Sequence, residues 1–222
     1  VVQHRWSGRK EQPHLLAMED AFWENGWQTF NFDTTNSFNE SDGEYSKSRL
    51  GLHYEDFEDV VKWVQKQDWF VGPLALTGHS MGGYSVVRYA EDYPEEVALV
   101  APIAPVISGK LRKEAYMKYE PESLKEWEEK GVKIEESKTR PGLIKESPYE
   151  AFVEMQNHDL LPNAHKLTMP VFLLTGTEDF GCPPENVQIL FDAIPNDKKE
   201  FVVIEGAPHT YKEPEHCLLY TS

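Results

Sequence analysis

Short apolar runs alternate along the chain with stretches whose apolar residues recur every three or four positions. The runs predict strands of a parallel sheet, and the spaced stretches predict the helices that join them. "VVQH" (1–4) reads as the end of a strand, and "PHLLAMEDAFWENG" (13–26) as a helix stopped by Gly26. "WQTFNFD" (27–33) is the next strand, followed by the polar loop "TTNSFNESDGEYSKS". "YEDFEDVVKWVQKQ" (54–67) sets Phe57, Val60, Val61 and Val64 at helical spacing. "GPLALTGH" (72–79) is a buried strand, "GGYSVVRYAEDYP" (82–94) a helix that ends before Pro94, and "EVALVAPIAPV" (96–106) another strand-like run. "MPVFLLTG" (169–176) and "EFVVIEG" (200–206) are two more strands around the helical "PENVQILFDAI" (184–194). Residues 110–167 differ: they are rich in Lys, Glu, Tyr and Trp, with helical patterns in "PESLKEWEEKG" and "SPYEAFVEMQNHDLL". A segment that long does not serve as a loop between adjacent strands, so it is expected to be an inserted cap.

Length fits one domain, here residues 1–216 of the 222, with a real core. A net charge of -16 argues against binding nucleic acid or an anionic membrane, both of which call for basic patches. No apolar run approaches the length of a transmembrane helix. The two cysteines, Cys182 and Cys217, form no disulfide framework and no metal-ligand spacing, so neither metal nor other cofactor is expected. Nothing requires an oxidising compartment, and a cytoplasmic location is the expectation. Both ends read as cut. Cys217–Ser222, "CLLYTS", match one reading frame of a sequencing-library adapter and are expected to be a non-native tail; a longer gene sharing them would refute this.

The chemistry centres on Gly78-His79-Ser80-Met81-Gly82, a G-x-S-x-G motif between a predicted strand and a predicted helix. That context is what a nucleophile elbow requires. Flanking glycines permit the tight turn, and the helix N-terminus favours negative charge beside Ser80. Serine is a poor nucleophile at its ordinary pKa, so it needs a base, and the base needs an orienting carboxylate. Asp179 in "TGTEDFG" and His209 in "EGAPHT" each follow a strand, in the chain order serine, acid, histidine. Glu178 adjoins Asp179 as a rival acid with a longer reach. His14, His53, His158, His165 and His216 fall in helical or cap segments and read as surface or packing residues; His79 reads as structural, beneath the elbow. A tetrahedral intermediate also needs amide donors. Met81 N–H is one, and the loop after the opening strand supplies another, Trp6 N–H or the alternative Arg5.

With these residues in place, the sequence resembles α/β-hydrolases of the serine esterase and serine-aminopeptidase-like group. The resemblance runs through "QHRWSGRKEQP", "FDTTNSFNESDGE", "LTGHSMGG", "LPNAHKLTMPVFLLTGTED" and "IEGAPHTYKEPEH". It implies a mostly parallel sheet flanked by helices with an inserted helical cap, triad roles for Ser80, Asp179 and His209, and a lid role for the 110–167 segment. The family usually has glycine at position 5 and two edge strands before the opening strand. Arg5 is therefore expected to disturb the oxyanion loop, Arg5→Gly to raise activity, and the "WQTFNFD" strand to be an edge.

The function expected is cofactor-free hydrolysis of small-molecule carboxylic esters through an acyl-enzyme. Thioesters, amides, an N-terminal peptide bond and acyl transfer share this machinery. A non-catalytic or inactive member of the fold is the reading from a different class, and a fluorophosphonate probe, which reacts only with an activated serine, separates the two.

Overall fold

The computed structural model describes residues 1–137 and 140–211. The tail at Cys217–Ser222, the helix expected from Glu213 and His216 lie outside them. Strand β1 (Val2–Gln3), helix α1 (Pro13–Glu24) and strand β2 (Asn31–Phe32) come first, then α2 (Leu50–Val64), β3 (Leu74–His79), α3 (Met81–Asp92) and β4 (Val97–Ile103). An insertion follows with α4 (Gly109–Tyr119), α5 (Pro121–Lys130), the antiparallel hairpin β5 (Val132–Glu136) and β6 (Ile144–Pro148), and α6 (Tyr149–Met155). The chain returns through β7 (Val171–Glu178), α7 (Pro184–Ala193) and β8 (Lys199–Pro208).

Six strands form one sheet in the order β2-β1-β3-β4-β7-β8, parallel throughout, while β5 and β6 form a separate two-stranded sheet. The chain builds outward from β1 to β2, then reverses and builds the other way from β3. That reversal leaves a crevice at the C-terminal ends of β1 and β3, where open α/β sheets place their sites. "LALTGH" is buried along its whole length, as a central parallel strand must be. In α2 the buried stripe is Leu50, His53, Phe57, Val61 and Val64, spaced three and four apart. The helix begins a turn earlier than the sequence pattern suggests, and Val60 is only half-buried. The expected strand "WQTFNFD" pairs over only two residues, at the edge of the sheet.

The large core lies between the sheet and its helices, where Phe57 meets Tyr89 edge-on with ring centres 5.7 Å apart. A smaller cluster, Leu124, Trp127 and Phe152, holds the insertion together, and Trp6 from the loop after β1 packs against it. The insertion is thus tied to the very loop that borders the site.

One buried group makes stability depend on pH. Glu91 on α3 is fully buried, and neither carboxylate oxygen has a hydrogen-bond partner among the described residues. Burial raises its pKa from 4.5 to about 8; Asp92 and Asp159 push the same way, against Arg88 and Lys166. The folded value lies above the unfolded one, so this stabilising contribution is fully present below pH 4.5 and is lost as pH rises through about 8. Glu91→Gln, which cannot ionise, should flatten this part of the stability profile in urea unfolding across that pH window. An unchanged slope would mean that Glu91 is ionised in the fold.

Candidate active site

Ser80 sits at the sharp junction between β3 and α3, with φ 58° and ψ -110°. This is a sparsely populated conformation for a residue with a side chain, and it costs on the order of 1–3 kcal/mol unless the surroundings enforce it. They do. Ser80 N–H donates to Ile103 O at 2.9 Å, and Ser80 O accepts from Tyr84 N at 2.9 Å and Val106 N at 3.2 Å. The flanking glycines are dictated by contact: a Cβ on Gly78 would meet Gly82 O at 2.5 Å, and a Cβ on Gly82 would meet Gln3 O at 2.4 Å and His4 O at 2.6 Å. The end of β1 therefore presses backbone to backbone on the first turn of α3.

His209, just past β8, faces Ser80 with Nε2 3.0 Å from Oγ. Its Nδ1 lies 2.7 Å from Asp179 Oδ2, and Asp179 is fully buried. Asp179 Oδ1 accepts from the amides of Gly181 at 3.0 Å and Cys182 at 2.8 Å. A carboxylate so occupied accepts from Nδ1–H, which leaves the Nε2 lone pair directed at the Ser80 hydroxyl. Glu178, the rival acid, is exposed and has no part in this line. The residues that sequence spacing singled out thus meet in one hydrogen-bonded row.

The other histidines do other work. His79 is fully buried, and its Nδ1 lies 3.0 Å from His14 Nε2. Burial holds His79 well below its usual range and lowers His14 to about 3, so both are neutral and one donates to the other. His79 also packs against His209, with ring centres 4.9 Å apart, which gives it the supporting position expected beneath the elbow. His53 accepts from Gln3 Nε2 at 2.8 Å, His158 pairs with Glu154 at 2.6 Å, and His165 is exposed.

His4 was not singled out by the sequence, yet it organises the loop after β1. Its Nε2 accepts from Thr34 N–H at 3.0 Å, so its Nδ1 carries the proton and donates to Arg5 O at 2.8 Å. Arg5 Nη1 in turn donates to Trp6 O at 3.2 Å and Ser7 Oγ at 3.3 Å. Non-glycine residues with positive φ are Ser7, Asn36, Ser80, Ala104 and Tyr211 among those described, so position 5 does not use a conformation that favours glycine. The conformational reason to expect improvement from Arg5→Gly is gone: Arg5 braces the loop. Met81 N–H, in the first turn of α3, is one of the amides that a helix leaves without an internal partner.

Two clusters have the makings of a cation site among the described residues, and both are otherwise engaged. Asp179, Cys182 and His209 bring ligand atoms within 4.8 Å of one another. Burial, however, pushes the Cys182 thiol up to about 12, which keeps it protonated and a poor ligand. Glu11, Asp33 and Glu40 surround the Lys10 ammonium, which already supplies the positive charge.

Over residues 6–141 the chain matches the family model of X-Pro dipeptidyl-peptidases (S15 family), and over residues 117–215 that of serine aminopeptidases, S33. It belongs to the α/β-hydrolase superfamily, in the serine esterase and aminopeptidase-like group. Mitochondrial palmitoyl-protein thioesterase ABHD10 from Mus musculus is 27% identical over 183 residues, covering 82% of this chain and 59% of the relative. The Bos taurus protein of that name is 26% identical over 208 residues, covering 93% and 65%. The chain thus spans roughly three fifths of the curated relatives it matches. Among solved structures, mouse α/β hydrolase domain-containing protein 10 superposes with a TM-score of 0.77 at 23% identity, covering 99% of this chain and 85% of that one. Ferulic-acid-bound Est1E from Butyrivibrio proteoclasticus gives 0.78 at 21% identity with the same coverage. At these identities the likeness is one of fold. No helix among the described residues is long and apolar enough to cross a membrane.

The contact at Gly82 generates a test. Gly82→Ala should destabilise this α/β-hydrolase by about 1–3 kcal/mol, because backbone and not a movable side chain meets the new methyl. Urea unfolding measures it, and an unaltered midpoint would show that β1 and α3 can part freely.

Proposed function

We propose that the chain is a serine hydrolase that cleaves carboxylic esters through an acyl-enzyme, with Ser80 as nucleophile, His209 as base and Asp179 as its orienting acid. The observation that carries the reading is the unbroken row Ser80 Oγ, His209 Nε2, His209 Nδ1, Asp179 Oδ2 at 3.0 and 2.7 Å, on a fold whose relatives are hydrolases. Ser80 Oγ bonds to the acyl carbon as its proton passes to His209 Nε2. Asp179 keeps the ring in the right tautomer and stabilises the imidazolium. Negative charge on the former carbonyl oxygen is met by Met81 N–H and Trp6 N–H, a role supported by the close approach of the end of β1 to the first turn of α3 at Gly82. The C–O bond then breaks as His209 returns the proton to the leaving alkoxide, and water repeats the sequence to free the acid and Ser80.

The insertion caps the cavity over Ser80 and His209, and its shape selects the substrate. A thioester passes through the same steps, and the mouse relative is named as a palmitoyl-protein thioesterase. The substrate is a small molecule.

Ser80→Ala should abolish p-nitrophenyl ester turnover, a loss of roughly 10⁶ in kcat, and with it labelling by a fluorophosphonate probe. Asp179→Asn should lose about 10⁴ in kcat through the wrong His209 tautomer, while Glu178→Gln should be nearly silent. Retained activity in Ser80→Ala would remove Ser80 from the mechanism, and the reverse order of the two acid variants would transfer the role to Glu178. Prolonged dialysis against EDTA should change the rate by less than about twofold, since each step uses side chains and amides alone; activity lost to EDTA and restored by zinc would overturn the scheme.

A further inference from the structure

The cavity over Ser80, about 510 Å³, sets cationic side chains among aromatic ones such as Trp6, Tyr116 and Trp127. Arg5, Arg112, Lys133 and Lys145 all line it, in a chain whose net charge is -16. A single half-buried carboxylate, Glu135, answers two of these cations: it lies 3.4 Å from Lys133 Nζ and also pairs with Lys145 Nζ. Glu120 and Glu178 contribute only from exposed positions on the rim.

The two guanidinium groups form no ion pair among the described residues. Arg112 Nη1 donates to Cys182 Sγ at 3.2 Å, and its guanidinium carbon lies 5.8 Å from the centre of the Tyr116 ring. Arg5 is 9% exposed and spends Nη1 on its own loop, while Arg5 Nε and the neighbouring Trp6 Nε1 are buried without a partner among the described residues. Burial without an ion pair is costly for the Arg5 guanidinium, and so is each buried donor left unmade. Arg112 is half-buried, and Cys182, Tyr116 and Asp179 outweigh that burial to favour its charged form.

The β5–β6 hairpin makes the same point by its polarity. Residues two apart share a face, so Lys133 and Glu135 lie together, directly opposite Ser147 and Lys145. All four line the cavity. The other face carries Ile134 and Ile144, which are 63% and 52% exposed. The hairpin turns Lys133, Glu135 and Lys145 inward and leaves its isoleucines outside beside the exposed Glu136 and Glu146. Its inward face is therefore not the one that burial of apolar area alone would select.

We propose that the substrate of this site carries a carboxylate-class anion apart from the scissile bond, held in the cavity by Arg5 and Arg112. This rests on the serine-hydrolase reading above and narrows it. An apolar group can lie on the aromatic part of the wall, but placed over the arginines it would strip water from cations and return no hydrogen bond. A carboxylate returns two, and an arginine fork matches it.

The test compares esters that differ only by a terminal carboxylate in place of a methyl group. p-Nitrophenyl hexanoate against mono-p-nitrophenyl adipate places the anion on the acyl side. Butyl butyrate against the butyrate ester of γ-hydroxybutyrate places it on the alcohol side. In one arm the anionic ester should be preferred by about tenfold or more in kcat/KM, the scale of a charge-assisted pair. Arg112→Gln should reduce that preference about tenfold, and Arg112→Lys should recover part of it. Equal rates, or preference for the neutral ester in both arms, overturn the proposal while leaving the hydrolase reading intact, and this wild-type comparison decides even where a variant fails to fold. Were Arg112 to act only through Cys182 and Asp179, its loss would lower both rates together; an unchanged ratio overturns its assignment. If no ester is turned over, the hydrolase reading itself fails and the anion site is judged on binding. Calorimetry on Ser80→Ala must then show the adipate monoester bound about tenfold more tightly than the hexanoate, and equal or absent binding overturns the proposal.

Discussion

The approach of two backbones at Gly82 is the constraint on which the site is built. With no side chain between them, the end of β1 can lie on the first turn of α3, close enough that a single methyl would collide with Gln3 O and His4 O. Two consequences follow together. The chain must turn sharply at Ser80, which forces the residue into its strained conformation and lifts its hydroxyl clear of the sheet. The start of the loop after β1 is also brought alongside the N-terminus of α3. His4 and Arg5 then fix the loop with hydrogen bonds that leave it little freedom.

Asp179 and His209 are positioned by the other half of the sheet. β7 and β8 run parallel with a register shift between Gly176 and Glu178, and the two side chains that follow them, Asp179 and His209, meet at 2.7 Å. Asp179 is spared the cost of isolation by two amides from its own turn. Rigid strands set the row, and the adjoining turns only finish it.

Much of this was legible in the residues. The glycine-flanked Ser80, Asp179 and His209 announce themselves because each occupies a local context, strand end into turn, that is written in a few neighbouring letters. The elements with one apolar face, α2 above all, were equally plain. What escaped was whatever depends on distant contact. β2 reduces to two paired residues because the rest of "WQTFNFD" finds no partner strand, which no periodicity reveals. The β5–β6 hairpin hid within the insertion because its inward face is charged, so its alternation points the wrong way for a strand in a core. Arg5 misled for a related reason: a glycine expected from resemblance need not serve a conformational purpose, and here the φ at position 5 asks for none. The neighbours of His4 in the chain do not announce its role, since that role is set by Thr34, thirty residues away.

The hairpin also divides the molecule's labour. Ser80, Asp179 and His209 hang from the six-stranded sheet, whereas Lys133, Glu135 and Lys145 hang from a separate two-stranded sheet. Changes on that hairpin touch neither the turn at Ser80 nor the large core, so they carry little risk of unfolding the protein or displacing Ser80. Substitutions there can therefore reshape the cavity wall one residue at a time while Ser80, Asp179 and His209 stay where the larger sheet holds them.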